Sequence, residues 1–534
     1  MHSERLRWLG LAAISVAVSL IIVDSTIVNV AMPSIVDDLS ITSTQAQWVQ
    51  EAYTLVFAAL LIPFGTLGDR WGRRRLLVLG VLVFTLASIA AGLAATGSLL
   101  IAARVAQGIG GAMVLPATMS IINATFRGKE RAIAFAVWGS VIGGMAAVGP
   151  LLGGWLITDA SWRWAFGINV PFGIAVIVAA LVAIRESKSP STGPFDLLGS
   201  ALVVSSAGSL VFALIEGRTF GWWSTNHAPT IAGWTWPFSI SVTPFLFLIA
   251  AISITVFIAY ERHRARTHRS TLLPIELFSI RTFTSGNIVA ALVSLGELGI
   301  LFVLPLWVQN VLGYTALQTG FVLVALAVGS FLATGMVGGL RGRISAVGML
   351  RFGVALELVG VLSIGLLLDA QLGWAALAGV LFVYGLGLGL ASSQVTNVVL
   401  RDVPVERSGQ AAGTQSTARQ VGSALGIAIL GTVLFGVLSI DLGDRLDDAG
   451  LDAAHSATAV ATVVDSAGAA IPALEADPDT SAIGDAAAES FTTATSAAAY
   501  TAAGFLGVAL LASVGLREPN RTSPEPTTKE AIPS

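Results

Sequence analysis

The chain has no cysteine among its 534 residues, and only three lysines (Lys129, Lys188 and Lys529) beside 26 arginines. Without cysteine there can be no disulfide, thiolate metal site, iron–sulfur cluster or cysteine nucleophile. Charge of either sign is scarce: 11% of the residues are Asp, Glu, Lys or Arg, against roughly 25% in soluble globular proteins. So few charges cannot clothe a water-soluble surface of this size. The net charge of −3 offers no clustered basic face for nucleic acid. The five histidines (His2, His227, His263, His268 and His455) all fall in hydrophilic stretches. There is no Walker A motif, hence no P-loop ATP engine, and no Gly-x-Ser-x-Gly nucleophile elbow. No residue set calls for a cofactor or a metal, and nothing points to an enzyme. What is present is apolar: hydrophobic residues make up 54%, glycine supplies 57 positions, and the mean hydropathy is +0.80. This is the composition of an integral membrane protein. The excess of Arg over Lys, with abundant Ala, Gly and Val, points to a GC-rich bacterial genome.

A helix crossing about 30 Å of hydrocarbon needs about 20 mostly apolar residues. That window predicts fourteen spans, from Trp8–Met32 at the start to Phe491–Leu516 at the end. The first follows Arg5 and Arg7, but its apolar run is too long for a signal peptide and no small-x-small cleavage site follows. The cations test the count. With fourteen helices and the N-terminus inside, 24 of the 29 Lys and Arg fall on the cytoplasmic side, as the positive-inside rule requires. Arg163, Arg218 and Arg445 fall outside this set, and Arg104 and Arg419 lie within helices. Arg351, two turns into its span, is expected to snorkel to the cytoplasm. The expected address is the bacterial plasma membrane, with both termini cytoplasmic.

The Gly-Asp-Arg-Trp-Gly-Arg-Arg-Arg connection at 68–75 has a shorter counterpart, Gly-Gly-Leu-Arg-Gly-Arg, at 338–343. This faint repeat divides the chain into two six-helix bundles, residues 1–187 and 283–516. Between them lies an inserted helix pair with its linker, 188–282. Repeat halves packed about a midplane cavity are a common architecture of secondary transporters. Residues 440–489 carry eleven acids against one cation and read as a solvated external loop. Residues 517–534 read as a cytoplasmic tail. The fold class expected is an all-α polytopic membrane protein.

Charges inside lipid are expensive and therefore informative. Asp24 (span one), Arg104 (span four), Glu297 (span nine), Glu357 (span eleven) and Arg419 (span thirteen) are such charges, and Glu51 lies at the outer end of span two. Two readings stand open for each: a structural ion pair between helices, or a proton or substrate site. A carboxylate desolvated in a cavity can exchange a proton at physiological pH. The glycine strings Gly108-Ile-Gly110-Gly111 and Gly385-Leu-Gly-Leu-Gly389 look like dinucleotide loops, but they lie inside apolar helices with no strand before them. Close helix packing through small residues is the better explanation.

The 65–75 stretch also has a physical logic. Gly65 and Gly68 permit close packing, and Gly72 permits a tight turn. Asp69, at a helix C-terminus, faces an unfavourable macrodipole and needs a cation such as Arg73. A pair of that kind can latch one conformation and break in another, which makes a gate.

These stretches resemble known motifs. Gly65-Thr-Leu-Gly68-Asp69-Arg70-Trp-Gly72-Arg73-Arg74-Arg75 resembles motif A of the major facilitator superfamily. Leu100-x-x-x-Arg104-x-x-Gln107-Gly108 resembles its motif B. Gly149-Pro150-x-x-Gly153-Gly154 resembles the antiporter motif C. Val23-Asp24-Ser-Thr-Ile-Val-Asn-Val-Ala-Met-Pro33 is similar to the first-helix signature of the fourteen-span drug:proton antiporters of the EmrB/QacA type. Ser161 to Gly173 and Gln309-x-Val-Leu-Gly313 resemble that group too. One departure is Met145, where motif C usually has a further glycine. The resemblance implies the major facilitator fold, with two inserted helices, and a proton-coupled exporter of lipophilic, often cationic compounds. Its partners would be protons, lipophilic small molecules and membrane lipids. It also implies that Arg104 assists proton transfer, that Gln107 lines the N-half, and that the motif C helix seals the cavity on one side. A flippase of lipids or cell-envelope precursors on the same fold is the alternative; an importer and a membrane-embedded enzyme or receptor fit less well.

The topology carries a test. Single cysteines at Ser98, Ser224 and Ser456 should react with an impermeant maleimide added to intact cells, and cysteines at Ser189 and Ser523 should not. Labelling of position 523 from outside would break the fourteen-span arrangement.

Overall fold

The computed structural model describes residues 2–516, apart from 189–195, 232–233, 268–270, 274, 341–343, 370–371 and 405–407. The tail at 517–534 and the expected counterpart turn at 341–343 therefore lie outside the described residues. The first half comprises α1 (His2–Leu39), α2 (Ser43–Trp71), α3 (Arg73–Gly92), α4 (Gly97–Thr125), α5 (Gly128–Asp159), α6 (Trp164–Gly167) and α7 (Asn169–Ala183). The inserted pair is α8 (Leu197–Phe220) and α9 (Val242–Arg266), joined by a connection holding two two-residue strands, β1 (Thr230–Ile231) and β2 (Trp234–Thr235). The second half comprises α10 (Arg281–Asn310), α11 (Ala316–Leu340), α12 (Ala346–Leu367), α13 (Trp374–Leu400), α14 (Ser408–Asp448), α15 (Ala453–Asp465), α16 (Ile471–Ala476) and α17 (Ser481–Val514).

Among the described residues, twelve helical stretches are long and apolar enough to cross a membrane. They are α1, α3, α4, the α6–α7 run and α8 to α14, with α17 the twelfth. The remaining long helices, α2 and α5, run 29 and 32 residues and include side chains outside the described set. The expected sixth span is one apolar run, Trp164–Ala183. Pro171 has no N–H to return to the Gly167 carbonyl, so one rung of the ladder is missing where α6 meets α7, while Ile168 keeps helical dihedrals.

Successive long helices run antiparallel, which defines two faces. The terminal face carries the chain ends: Arg7 of α1 pairs with Glu130 of α5 at 3.1 Å. On the opposite, distal face, Trp162 Nε1 and Arg163 both donate to Asp38. Close packing does explain the glycine strings. A Cβ on Gly108 would come 2.7 Å from the Tyr53 carbonyl of α2, and one on Gly110 would come 2.7 Å from the Gly80 carbonyl of α3. Gly385 and Gly389 lie against the α11 backbone at Leu326 and Ser330 in the same way.

The inserted pair lies along one side of the molecule. Trp48 Nε1 of α2 donates to Glu216 of α8 at 2.9 Å, and Thr432 of α14 donates to the Leu214 carbonyl at 3.0 Å. Thus α8 touches both halves, while α9 leaves Leu248, Ile249, Ile252 and Val256 exposed, an apolar face suited to lipid.

The 440–489 stretch exposes its acids as expected, but it is not a loop. It is mostly helical: α14 continues to Asp448, then α15 and α16 follow, and α17 begins at Ser481. Alanine-rich sequence has high helix propensity, and Val463, Val464 and Ile471 bury an apolar face. Arg445 fastens the arrangement by pairing with both Asp441 and Glu489. Ser456 is buried here, so the labelling position for this segment moves to Thr458, which is exposed.

Arg351 reaches toward the terminal face, as expected, but ends on protein rather than in open solvent. Its guanidinium donates to the carbonyls of Ser513, Val514 and Leu516 at 2.9 to 3.4 Å, capping the end of α17. The last carbonyls of a helix are unsatisfied and carry the negative end of its dipole, so a cation held there is favourable. Arg351→Met should lower stability by about 1–3 kcal/mol, read as a lower thermal midpoint in detergent. An unchanged midpoint would show the cap to be dispensable.

Candidate functional site

The first cluster assembles from helices of the N-half. Asp24 lies halfway along α1, and Arg104 and Gln107 lie one turn apart on α4. Asp24, Arg104 and Gln107 are each fully buried. The carboxylate of Asp24 pairs with Arg104. Its other oxygen accepts from Gln107 Nε2 at 2.9 Å and from Asn169 Nδ2 at 2.8 Å. Both amides also reach Ser88 of α3, at 2.9 and 3.2 Å. Arg104 Nε donates to the Val49 carbonyl of α2 at 3.0 Å, and its guanidinium lies over the Tyr53 ring, 4.4 Å from the centroid. A charge pair in apolar surroundings holds when its remaining hydrogen-bonding capacity is used, and here most of it is. Asn169 stands where α6 meets α7 and reaches Asp24 from there. Sequence reading missed Asn169 and Ser88; Pro171 was the available signal for the first.

The second cluster lies in the C-half. Arg419 of α14 approaches Glu297 of α10 at 3.9 Å, and its Nε donates to Ser294 at 3.3 Å. This pair is looser and wetter than the first, since the Arg419 side chain is 33% exposed. Glu357 of α12 lies within electrostatic reach of both. It is fully buried, and among the described residues no donor reaches either oxygen. Glu51 of α2 is alike: 0% exposed, with both oxygens unpartnered among the described residues, although it was expected near a membrane surface.

The motif A stretch turns between α2 and α3 on the terminal face. Gly72 has φ 130°, a backbone conformation that favours glycine. Gly65 rests against Pro116 and Gly68 against Leu76. The Asp69 side chain lies outside the described residues, so the expected pair with Arg73 has no observation here. Arg73 reaches the Ser120 carbonyl at 3.4 Å, and Arg74 reaches that of Ile184 at 3.2 Å; Arg70 has partners of its own. The acid that stands out is Glu186, just beyond α7. Its carboxylate accepts from the N–H groups of Arg74 and Arg75, both at 3.1 Å, capping α3 at the positive end of its dipole. Glu186 was missed; its signal was an acid inside an otherwise basic connection.

The motif C stretch forms a seam. A Cβ on Gly149 would collide with Thr26 of α1, and one on Gly153 would sit 2.6 Å from Ile27 Cγ1. Gly154 meets the C-half: its Cβ would lie 2.6 Å from the Ala316 carbonyl of α11, and a Cβ on Gly320 would lie 2.7 Å from the Pro150 carbonyl. Two hydrogen bonds between described residues join the halves on this distal side. The Leu317 N–H donates to Thr158 Oγ1, and Gln309 Nε2 donates to the Val30 carbonyl, each at 3.1 Å. Met145, the departure from the motif, packs against the core shared by the two halves.

Long apolar helices, a distal seam and charges buried at mid-helix are the features of a multi-pass membrane transport protein. The family model described as Major Facilitator Superfamily matches residues 14–215 and 196–427. The chain belongs to that superfamily. It is 33% identical over 455 residues to the probable actinorhodin transporter of Streptomyces coelicolor, covering 83% of this chain and 75% of that one. It is 32% identical to the multidrug resistance protein Stp of Mycobacterium tuberculosis, covering 87% of this chain and 82% of that one. It is likewise 32% identical to the tetracenomycin C resistance and export protein of Streptomyces glaucescens, covering 80% and 76%. Among solved structures it is similar to a bacterial homologue of the human lysosomal transporter Spinster, in an inward-facing, unoccupied conformation. That match has a TM-score of 0.62 and 18% identity, and covers 96% of this chain and 98% of that one. At that identity it shows the shared fold.

The seam carries a test. A disulfide between cysteines introduced at Thr158 and Leu317 should form readily in the otherwise unaltered chain. Gly154→Val should lower its yield by forcing α5 from α11. An equal yield would mean the seam tolerates a side chain.

Proposed function

We propose that this protein is a secondary active exporter of lipophilic, often cationic drugs or toxic compounds, driven by proton entry and working by alternating access. The observation that carries this reading is the sustained identity, over four-fifths of the chain, to proteins named for multidrug resistance and antibiotic export. The α5 seam supports it, because it joins the halves at one face, where their backbones can meet. With the termini in the cytoplasm and fourteen spans in the membrane, that seam is the outer one. The Asp24–Arg104–Gln107 cluster then holds the N-half together and gates access to Glu51. In the C-half, Glu297, Glu357 and Arg419 serve proton and substrate binding. The Gly65–Arg74 turn, with Asp69 and Glu186, latches the cytoplasmic side. The energy is adequate, since one charge moved through 100 mV is worth about 2.3 kcal/mol.

Cells expressing the protein should accumulate less ethidium than controls, and a protonophore should erase the difference. A difference that survives the protonophore would argue against proton drive. If ethidium is never excluded while labelled lipid changes leaflet, the flippase reading takes over.

A further inference from the structure

The two charge clusters differ in their balance of donors and acceptors. Asp24 has one arginine to itself, and two side-chain amides complete its hydrogen bonding. In the C-half, two carboxyl groups face one guanidinium. The helices packed on α12, namely α13 and α17, and the helices α10 and α14 within electrostatic reach of Glu357 bring few other titratable groups. From α10 come Glu297 and, at its distant start, Arg281; from α14 comes Arg419, its other charges (Asp441, Asp444, Arg445, Asp447, Asp448) lying at the far end. From α13 comes Tyr384, fully buried, its hydroxyl unpartnered among the described residues. From α17 comes Tyr500, which donates to the Gly365 carbonyl at 2.8 Å, with Asp485 and Glu489 at that helix's distal start. On its own helix, α12, the remaining charge is Arg351 at the α17 cap.

Glu357 is fixed tightly. A Cβ on Gly387 of α13 would come 2.9 Å from its Cγ, so the α13 backbone lies directly against the Glu357 stem. Arg419 sits differently: it lines a cavity of about 10 Å³ with Ala290, Val293 and Ser392, room for about one water. When Glu297 and Arg419 are both charged they cancel. Ionising Glu357 as well would leave an uncompensated negative charge in a dry interior, with no donor on either oxygen, which is strongly unfavourable. A proton on Glu357 removes that charge.

We propose that Glu357 is the proton-carrying carboxyl of the C-half, and that Glu297 and Glu357 compete for Arg419. The competition is an exchange. When the Glu357 O–H gives its proton to water, its electron pair stays on the carboxylate, which draws Arg419 across. Glu297 is then free to hold a cationic substrate. A proton returning to Glu357 sends Arg419 back to Glu297 and expels that substrate. This inference rests on the proton-coupled exporter reading and assigns its proton to one residue.

The test uses the full chain in lipid nanodiscs and two readouts. Dicyclohexylcarbodiimide modifies protonated carboxyls in apolar surroundings, and peptide mass spectrometry locates the adduct. We expect an adduct at Glu357 that fades as pH rises, and none at Asp24. No adduct at Glu357, with modification at Glu297 or Asp24 instead, would overturn the assignment without requiring any variant to fold. In the second readout, ethidium added in weak buffer should release protons from wild type and from a surface control, Thr458→Ser, and at least tenfold fewer from Glu357→Gln. Undiminished release from Glu357→Gln would also overturn it. Wild type that labels at Glu357 but neither binds nor exports ethidium would count against the exporter reading alone.

Discussion

The pair formed by Asp24 and Arg104 is the constraint around which the N-half is arranged. Neither charge can stay in the apolar interior alone: removing one partner leaves the other buried and unpaired, at a cost of about 3–5 kcal/mol. The pair draws in α1 and α4 directly, α3 and α7 through Ser88 and Asn169, and α2 through the Val49 carbonyl. Five helices therefore share one polar kernel, and their close approach elsewhere through glycine serves to keep it dry.

The C-half is built to a different rule. Its arginine is loosely held and partly exposed, and it faces two acids rather than one. A satisfied cluster favours rigidity; an under-supplied one leaves more than one arrangement close in energy. The two halves thus differ in kind, one holding a satisfied cluster and the other an under-supplied one. The inserted helix α8 lies against both, and so walls off one flank of the space between them.

Much of this was legible in the chain. The apolar runs, the basic turns and the mid-helix charges each follow from the penalty for exposing polarity to lipid, a force strong enough to read residue by residue. Glycine packing was legible for the same reason, because strings inside apolar helices had no other use. Partner choice was not. That Asp24 would take Arg104, or that Arg351 would cap α17 from 162 residues away, depends on how helices rotate against one another, which no local pattern encodes. The 440–489 stretch was expected as a loop because of its charge; its acids do face solvent, but its alanines and buried valines fold it into helices. Glu186 escaped notice because its role is with backbone N–H groups, which leave no mark on side-chain spacing.

The seam between α5 and α11 is made where Gly154 meets Ala316 and Gly320 meets Pro150, main chain against main chain. Most protein interfaces freeze side-chain rotamers when they close and release that freedom when they open. At these backbone contacts there are none to freeze, although Thr158 and Gln309 beside them do order their side chains. The backbone contact acts as a hard stop: it fixes how far the halves can approach.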